Sequence, residues 1–599
     1  MENKKQAIIL SGVAIVALLA LIIGATYAYF RASGNSGSNT DINVTTYTLD
    51  LLSFEMGSDI KINADQTSFA SGKGNATGST FAKAILTANN KTNTATKNYY
   101  MYLNISNNTF TYTQNENTPE LLLTITDVSG NAITSITGLT YKTVIDGKGT
   151  SVSGFDITTK SGLLTLFDNR EITASPTKTE EWNVTVTFVN YNVNQTGNAG
   201  KSFNAKLMIQ QEEYELTLAD ICAGKTLSDC VISQYTGTQG DNALYYHNST
   251  LTNGAGDNSY RYAGGDYVLT EAGKATGATM MIGYNNSVTT ALIDFYCNGT
   301  KQYVGYASSC STSHYYLIKG DTTQYQTYNE ALNASVEKGY LTKDNVKNFV
   351  CFGSDATTCP TENLYRIIGV FNNHVKLIKY DYAKSSLLGT DGDFSQEYTS
   401  NYFSGEQGES PSSNSLYYWN NDTKKNTWSE SNLNKVNLNT NFVNNIGTIW
   451  SNKIATTTWK VGGGTYANLR DAVPKTAYQY EVGSSASTTT YDAKIGLMYV
   501  SDYYYSASPS AWTLVGYNSD YTKSYASAKG ENWLYGGGWD WTISRYSDYS
   551  SNAFFVSYSG GVGYNFVDIY YGVRPSFSLL SSTTYVSGSG SMSDPVRIN

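Results

Sequence analysis

The chain is short of charge. Of its 599 residues only 15% are Asp, Glu, Lys or Arg, and it holds just 3 His, 8 Pro and 6 Cys. Each shortage excludes something. A net charge of −9 leaves no basic face for nucleic acid. The three histidines, His247, His314 and His374, lie far apart, and neither H-E-x-x-H nor G-x-S-x-G occurs, so the common zinc-peptidase and serine-hydrolase signatures are missing. No CxxC occurs, which removes the usual cysteine metal spacing. Gly462–Gly464 and Gly588-Ser589-Gly590 lack a following Lys-Ser/Thr and read as turns, not phosphate cradles. Asp391-Gly392-Asp393 with Glu397 falls short of a calcium loop and reads as a solvated turn. The expectation is a protein that is not an enzyme and holds neither cofactor nor metal.

What is present points outside the cytoplasm. Hydrophobic residues make up 40% of the chain, and Tyr alone numbers 51. Tyr favours strands, and a neutral Asn, Thr, Ser, Gly and Tyr surface suits a secreted β protein. The length allows two to four domains. The six cysteines fall as Cys222/Cys230, Cys297/Cys310 and Cys351/Cys359. Fifteen pairings are possible, of which nearest neighbours are the simplest; such a framework belongs to an oxidising compartment.

The first thirty residues agree. Lys4 and Lys5 precede an uncharged run from Ala7 to Phe30. A basic start followed by an apolar run is the export pattern. A helix of that length reaches roughly 36 Å, enough to cross a hydrocarbon core. Residues 1–30 are therefore a signal peptide, with Thr26-Tyr27-Ala28 as the cleavage region, or a retained membrane anchor through residues 7–30 with the N-terminus inside.

Organisation follows from composition. Residues 32–40 form a polar link, and residues 31–215 read as one β-sandwich, with Glu181–Phe188 and Phe203–Ile209 alternating cleanly. Residues 216–344 are a cysteine-containing connecting region with an insertion, 263–345, that begins a helical stretch at Tyr328–Phe349. In 345–599, two apolar runs around Asn372-Asn373 predict a hairpin, because Asn tolerates the left-handed turn conformation. Phe442, Val443, Ile446, Ile449 and Trp450 fall at helical spacing and predict a core-facing helix over Trp428–Trp450. Lys494–Val500 reads as a strand.

The most informative stretch is 533–577, in which fourteen of 45 residues are aromatic and none is Lys. Such a surface resembles an antibody paratope, where Tyr supplies contact area at little entropic cost and Ser, Gly and Asn adapt. Strand alternation predicts that about half of these rings point inward, with Phe554 and Val556 on one face and Phe555 and Ser557 on the other.

Leu364–Phe371, Lys494–Ser501, Trp541–Arg545 and Tyr571–Phe577 resemble a C-terminal module of surface proteins from gut Firmicutes and Tenericutes, similar to the formylglycine-generating-enzyme type of C-type lectin fold. The variable proteins of diversity-generating retroelements use that fold. The resemblance implies an α+β C-type-lectin-like domain over 345–599 whose varied, ligand-binding positions are Tyr546, Tyr549, Phe555, Tyr558, Tyr564, Asn565, Phe566, Asp568 and Tyr570. No cysteine follows Cys359, so the thiol copper site of that enzyme branch has no counterpart in this segment. Residues 1–210 resemble camelysin- and TasA-like exported proteins, which implies a jelly-roll-like sandwich.

The expected function is that of a surface-displayed binding protein, adhesin- or receptor-like, with a protein or glycan partner. The alternative is a structural subunit of an extracellular fibre or biofilm matrix, self-assembling through the N-terminal domain.

Overall fold

The computed structural model describes residues 49–599 except 66–67, 69–71, 90–91, 215, 280–291, 303–309, 311–312, 344 and 399–413. The proposed export segment and anchor, 7–30, lie outside the described residues. Among the described residues no helix is long and apolar enough to cross a membrane. The chain is mainly β and divides into two compact units, meeting at Leu216 and Thr217.

The first unit is built from two antiparallel sheets. One runs in the order Leu51–Met56, Ala76–Thr87, Thr177–Phe188, Leu121–Asp127, Ser151–Asp156, Tyr141–Ile145. The other runs Ile60–Asn63, Ser202–Gln210, Ala95–Asn108, Gly162–Ala174. The two-residue period of the sequence explains the packing. Trp182, Val184 and Val186 point into the same apolar core as Phe203, Ala205, Leu207 and Ile209 from the second sheet, while Asn183 and Lys206 face water.

The second unit is centred on a sheet in the order Leu244–Tyr246, Tyr260–Tyr262, Leu364–Phe371, His374–Lys379, Ser576–Ser578, Ile495–Gly496, with Phe349–Cys351 added beside Leu364–Phe371. The predicted hairpin forms: Asn372 and Asn373 turn with φ of 48° and 63°. Leu364–Val370 is buried on both faces, Arg366 included. The Arg366 guanidinium forks onto both carboxylate oxygens of Asp266 at 2.5 and 2.7 Å, reaches Asn348, and lies between the rings of Phe349 and Trp533. A charge is tolerated inside this core because its donors are taken. Residues 293–341 carry their own cluster, in which Ile293, Phe295 and Ile318 pack on Tyr328, Ala331 and Leu332 of helix Tyr328–Glu337. That helix is shorter than the stretch read from sequence; a capping box of Thr327 and Glu330 starts it and Gly339, at φ 69°, follows its end.

Three disulfides join the nearest neighbours: Cys222–Cys230, Cys297–Cys310 and Cys351–Cys359. They fit an oxidising environment. Loops of this size stabilise by about 2.5–3 kcal/mol each through the entropy they remove from the unfolded chain.

Three expectations need correction. Trp428–Trp450 is not one helix but a 3-10 turn at Trp428–Glu430, a wide π-helix at Leu433–Phe442, and two short turns either side of Gly447. Asn side chains divert the backbone: Asn434 bonds the Trp428 carbonyl, Asn437 that of Leu388 and Asn439 that of Ile495. Ile449, read as core-facing, is exposed. Lys494–Val500 is a strand only at Ile495–Gly496, because Val500 opens the helix Val500–Tyr505. Asp393 is no solvated turn: it is buried, and its carboxylate accepts the backbone N–H groups of Asn421 and Leu433.

Candidate functional site

The aromatic stretch folds into a small antiparallel sheet, Asp540–Arg545, Asn552–Val556 and Val562–Phe566, in that order. Asn552–Val556 is the middle strand and is buried on both faces. Its register sets Phe554 opposite Tyr564 and Phe555 opposite Gly563. Gly560, at φ 87°, closes the hairpin between the last two strands, where the Ser557 N–H donates to the Gly561 carbonyl.

This arrangement sorts the nine candidate residues. Tyr546 and Phe555 are buried. Tyr546 packs on Phe554, Tyr549 and Tyr564, and Phe555 on Trp541 and Tyr571. Phe555, a ligand-binding position under the family resemblance, is covered because this strand is buried on both faces. Tyr558 is half-buried against Trp539, and Asn565 donates to the Tyr571 hydroxyl at 2.8 Å. Asp568 pairs with Lys424 at 3.2 Å. The four exposed members are Tyr549, Tyr564, Phe566 and Tyr570.

Of these, Tyr564 lines a cleft of about 640 Å³. One wall is Val562–Tyr564 with Phe555 beneath it, another is Gly516–Ser519, and Arg470 closes the side. The short helix Tyr466–Leu469, capped by the Thr465 hydroxyl, brings Tyr466 and Arg470 to this wall. It is seated by Gly463: at φ +63° and with the Arg545 carbonyl 2.0 Å from where a Cβ would stand, only glycine fits. The Arg470 guanidinium stacks 3.7 Å from the ring centroid of Tyr517 and 4.4 Å from that of Tyr466. Among the described residues of this unit six aromatic side chains are exposed; Tyr517 and Tyr564 line the cleft, Phe566 ends the strand that carries Tyr564, Tyr549 lies in the turn before Asn552–Val556, and Tyr570 lies in the short strand Tyr570–Tyr571 paired with Asn414–Tyr418. Burial raises the phenol of Tyr546 above its ordinary value.

Sequence reasoning missed Tyr517 and Arg470, which lie before the aromatic stretch. Nothing local marks them, since they join the site only through tertiary packing. The continuous apolar run Ala553–Val556 was a usable signal for burial on both faces. Among the described residues no three His, Cys, Asp or Glu gather as a metal site. The carboxylates once weighed for calcium are engaged by protein donors: Asp391 by Asn441, Asp393 by backbone and Glu397 by Ser415. Compared with known proteins, the chain matches no family model and no curated sequence.

Proposed function

We propose that the chain is a displayed binding protein. Its second unit, read as C-type-lectin-like, recognises a protein or glycan through the rim of the Arg470 cleft. Its first unit, read as a jelly-roll-like sandwich, carries that unit away from the cell. The observation that supports this best is that five of the six exposed aromatic rings described in this unit fall within residues 517–570, two of them lining the cleft, while its other aromatics are largely covered. Exposed aromatics cost solubility and are the side chains that dominate binding energy when an interface closes over them. Apart from Arg470 the lining of the cleft is aromatic, aliphatic or neutral polar, which suits stacking and hydrogen bonds.

The test is the purified chain on glycan and protein arrays beside the Tyr549→Ala/Tyr564→Ala/Phe566→Ala variant. These side chains are exposed, so the variant keeps its thermal transition. Loss of every ligand that the parent chain captures is expected. Unchanged capture would refute the site.

A further inference from the structure

The binding reading leaves peptide and glycan open, and the edge of strand Val562–Phe566 separates them. Among the described residues this strand pairs only with Asn552–Val556. The Ser557 N–H donates to Gly561 and the Val567 N–H to Ser551, so in the alternating pattern of an antiparallel pair residues 563 and 565 turn their backbone inward. Residues 562, 564 and 566 turn theirs to the open edge. Two of those three are already engaged. The Val562 N–H donates to the Gly516 carbonyl, the Phe566 N–H to the Asn565 side chain, and the Phe566 carbonyl accepts from Ile569. The Tyr564 N–H and C=O are bonded by no described residue. Together they offer one donor and one acceptor at strand spacing, beside the cleft.

Arg470 supplies the second observation. Seven arginines are described, and six donate to a protein acceptor: Arg170 to Glu180, Arg261 to Asp257, Arg366 to Asp266, Arg574 to Asp540, Arg545 to the Gly462 carbonyl and Arg597 to that of Thr357. Arg470 is half-buried, held flat by Tyr517 and Tyr466, with the Tyr564 ring 5.7 Å away, and none of its donors is taken by a described residue. A guanidinium fixed in orientation presents two parallel N–H groups to a carboxylate, the bidentate geometry that makes such pairs strong.

We propose, building on the binding reading above, that the ligand is an extended segment of another protein. It adds as a strand beside Tyr564, exchanging a pair of main-chain hydrogen bonds, and places an Asp or Glu carboxylate on Arg470. Main-chain bonds of this kind give affinity for any extended chain, and the side-chain pocket gives the choice. The acid sits on the same face of the added strand as the Tyr564 ring, because that ring lies 5.7 Å from the Arg470 guanidinium. A glycan has no alternating N–H and C=O to match the edge.

The test is panning a phage-displayed random dodecapeptide library on the full purified chain. Peptides with a central acid among strand-forming residues and no central Pro are expected. Their affinity should fall at least tenfold on Arg470→Gln and on Arg470→Lys, which keeps the charge but loses the fork. It should fall comparably when the residue beside the acid is N-methylated. Arg470→Gln must leave the thermal transition in place. Peptides without an acid, or indifferent to Arg470→Gln, overturn the inference, as does a library with no enrichment. If a neutral oligosaccharide is captured instead and the triple aromatic variant loses it, the binding reading stands and the peptide inference alone falls. If neither is captured, both fall.

Discussion

Phe555 and Phe566 stand eleven residues apart in one hairpin, and the sequence gives them the same role. The fold assigns them opposite ones, and truncating each to Ala measures the difference. Phe555 is 9% exposed, whereas Phe566 is 55% exposed. A phenylalanine buries on the order of 200 Å², and at about 25 cal/mol per Å² removing that burial costs up to about 5 kcal/mol. Truncations of buried Phe fall at about 3–5 kcal/mol, so about 4 kcal/mol is the expectation for Phe555→Ala. The second unit spans about 380 residues. At about 2.1 cal/mol/K per residue its unfolding entropy is about 0.8 kcal/mol/K, so Phe555→Ala lowers its Tm by about 5 °C. Phe566→Ala, at the surface, stays within about 0.5 kcal/mol, under about 1 °C. Differential scanning calorimetry on the chain, following the transition of the second unit, reads both. Phe566→Ala, which keeps its fold, weakens ligand capture through the lost ring alone. Equal shifts in Tm for the two variants would refute the register that places Phe555 over Gly563.

Two further outcomes follow from other parts of the molecule. His247 is fully buried, its Nδ1 accepts the Ala255 N–H, and desolvation first, then Arg261, hold its pKa well below the ordinary value. The unfolded chain therefore binds the extra proton. This residue's contribution is complete above about pH 6.5 and is lost as pH falls, by up to about 1.4 kcal/mol per pH unit. Burial raises Glu481 to about 6 and acts in the opposite sense, its contribution being lost as pH rises through that value. The measurement is accordingly the difference between the parent chain and His247→Asn in urea titrations at pH 7 and pH 5; identical pH slopes would exclude the His247 account. Under the retroelement reading, a near-copy of the codons for 533–577 lies beside a reverse-transcriptase gene. Its mismatches should fall on Tyr549, Tyr564, Phe566 and Tyr570 and spare the buried Tyr546 and Phe555; mismatches concentrated on the buried pair would sink that reading.

The strands of the first unit were legible because one face of each meets a core and the other meets water. Trp182, Val184 and Val186 alternate with Asn183 and Thr185, and the structure follows the pattern residue by residue. Legibility failed where that premise failed. Asn552–Val556 is covered on both sides, so its period carries no information about facing. The region from Trp428 failed for a different reason. The helical apolar spacing runs from Phe442 to Trp450, but ahead of it, in the π-helix Leu433–Phe442, Asn437 and Asn439 spend their amides on the distant carbonyls of Leu388 and Ile495. No window of local sequence records that Leu388 and Ile495 will be there to accept.

Arg470 was illegible in the same way, and its significance comes from the scarcity noted at the outset. A surface dense in Lys, Arg, Asp and Glu contains many guanidinium groups without a fixed partner, and one more means little. Here seven arginines are described, and six are satisfied within the protein. A fold that spends its few guanidinium groups on named acceptors has left one stacked, oriented and open at the side of the cleft that Tyr517 and Tyr564 line. Stacking on Tyr517 and Tyr466 already limits its rotation, so a carboxylate arriving there loses less in ordering the side chain than it would on a free arginine. The same rings exclude water from one face of the pair, which strengthens it. Low overall charge is therefore consistent with a charged anchor at the site: with few competing ions around it, one guanidinium suffices to fix the position of an otherwise neutral ligand.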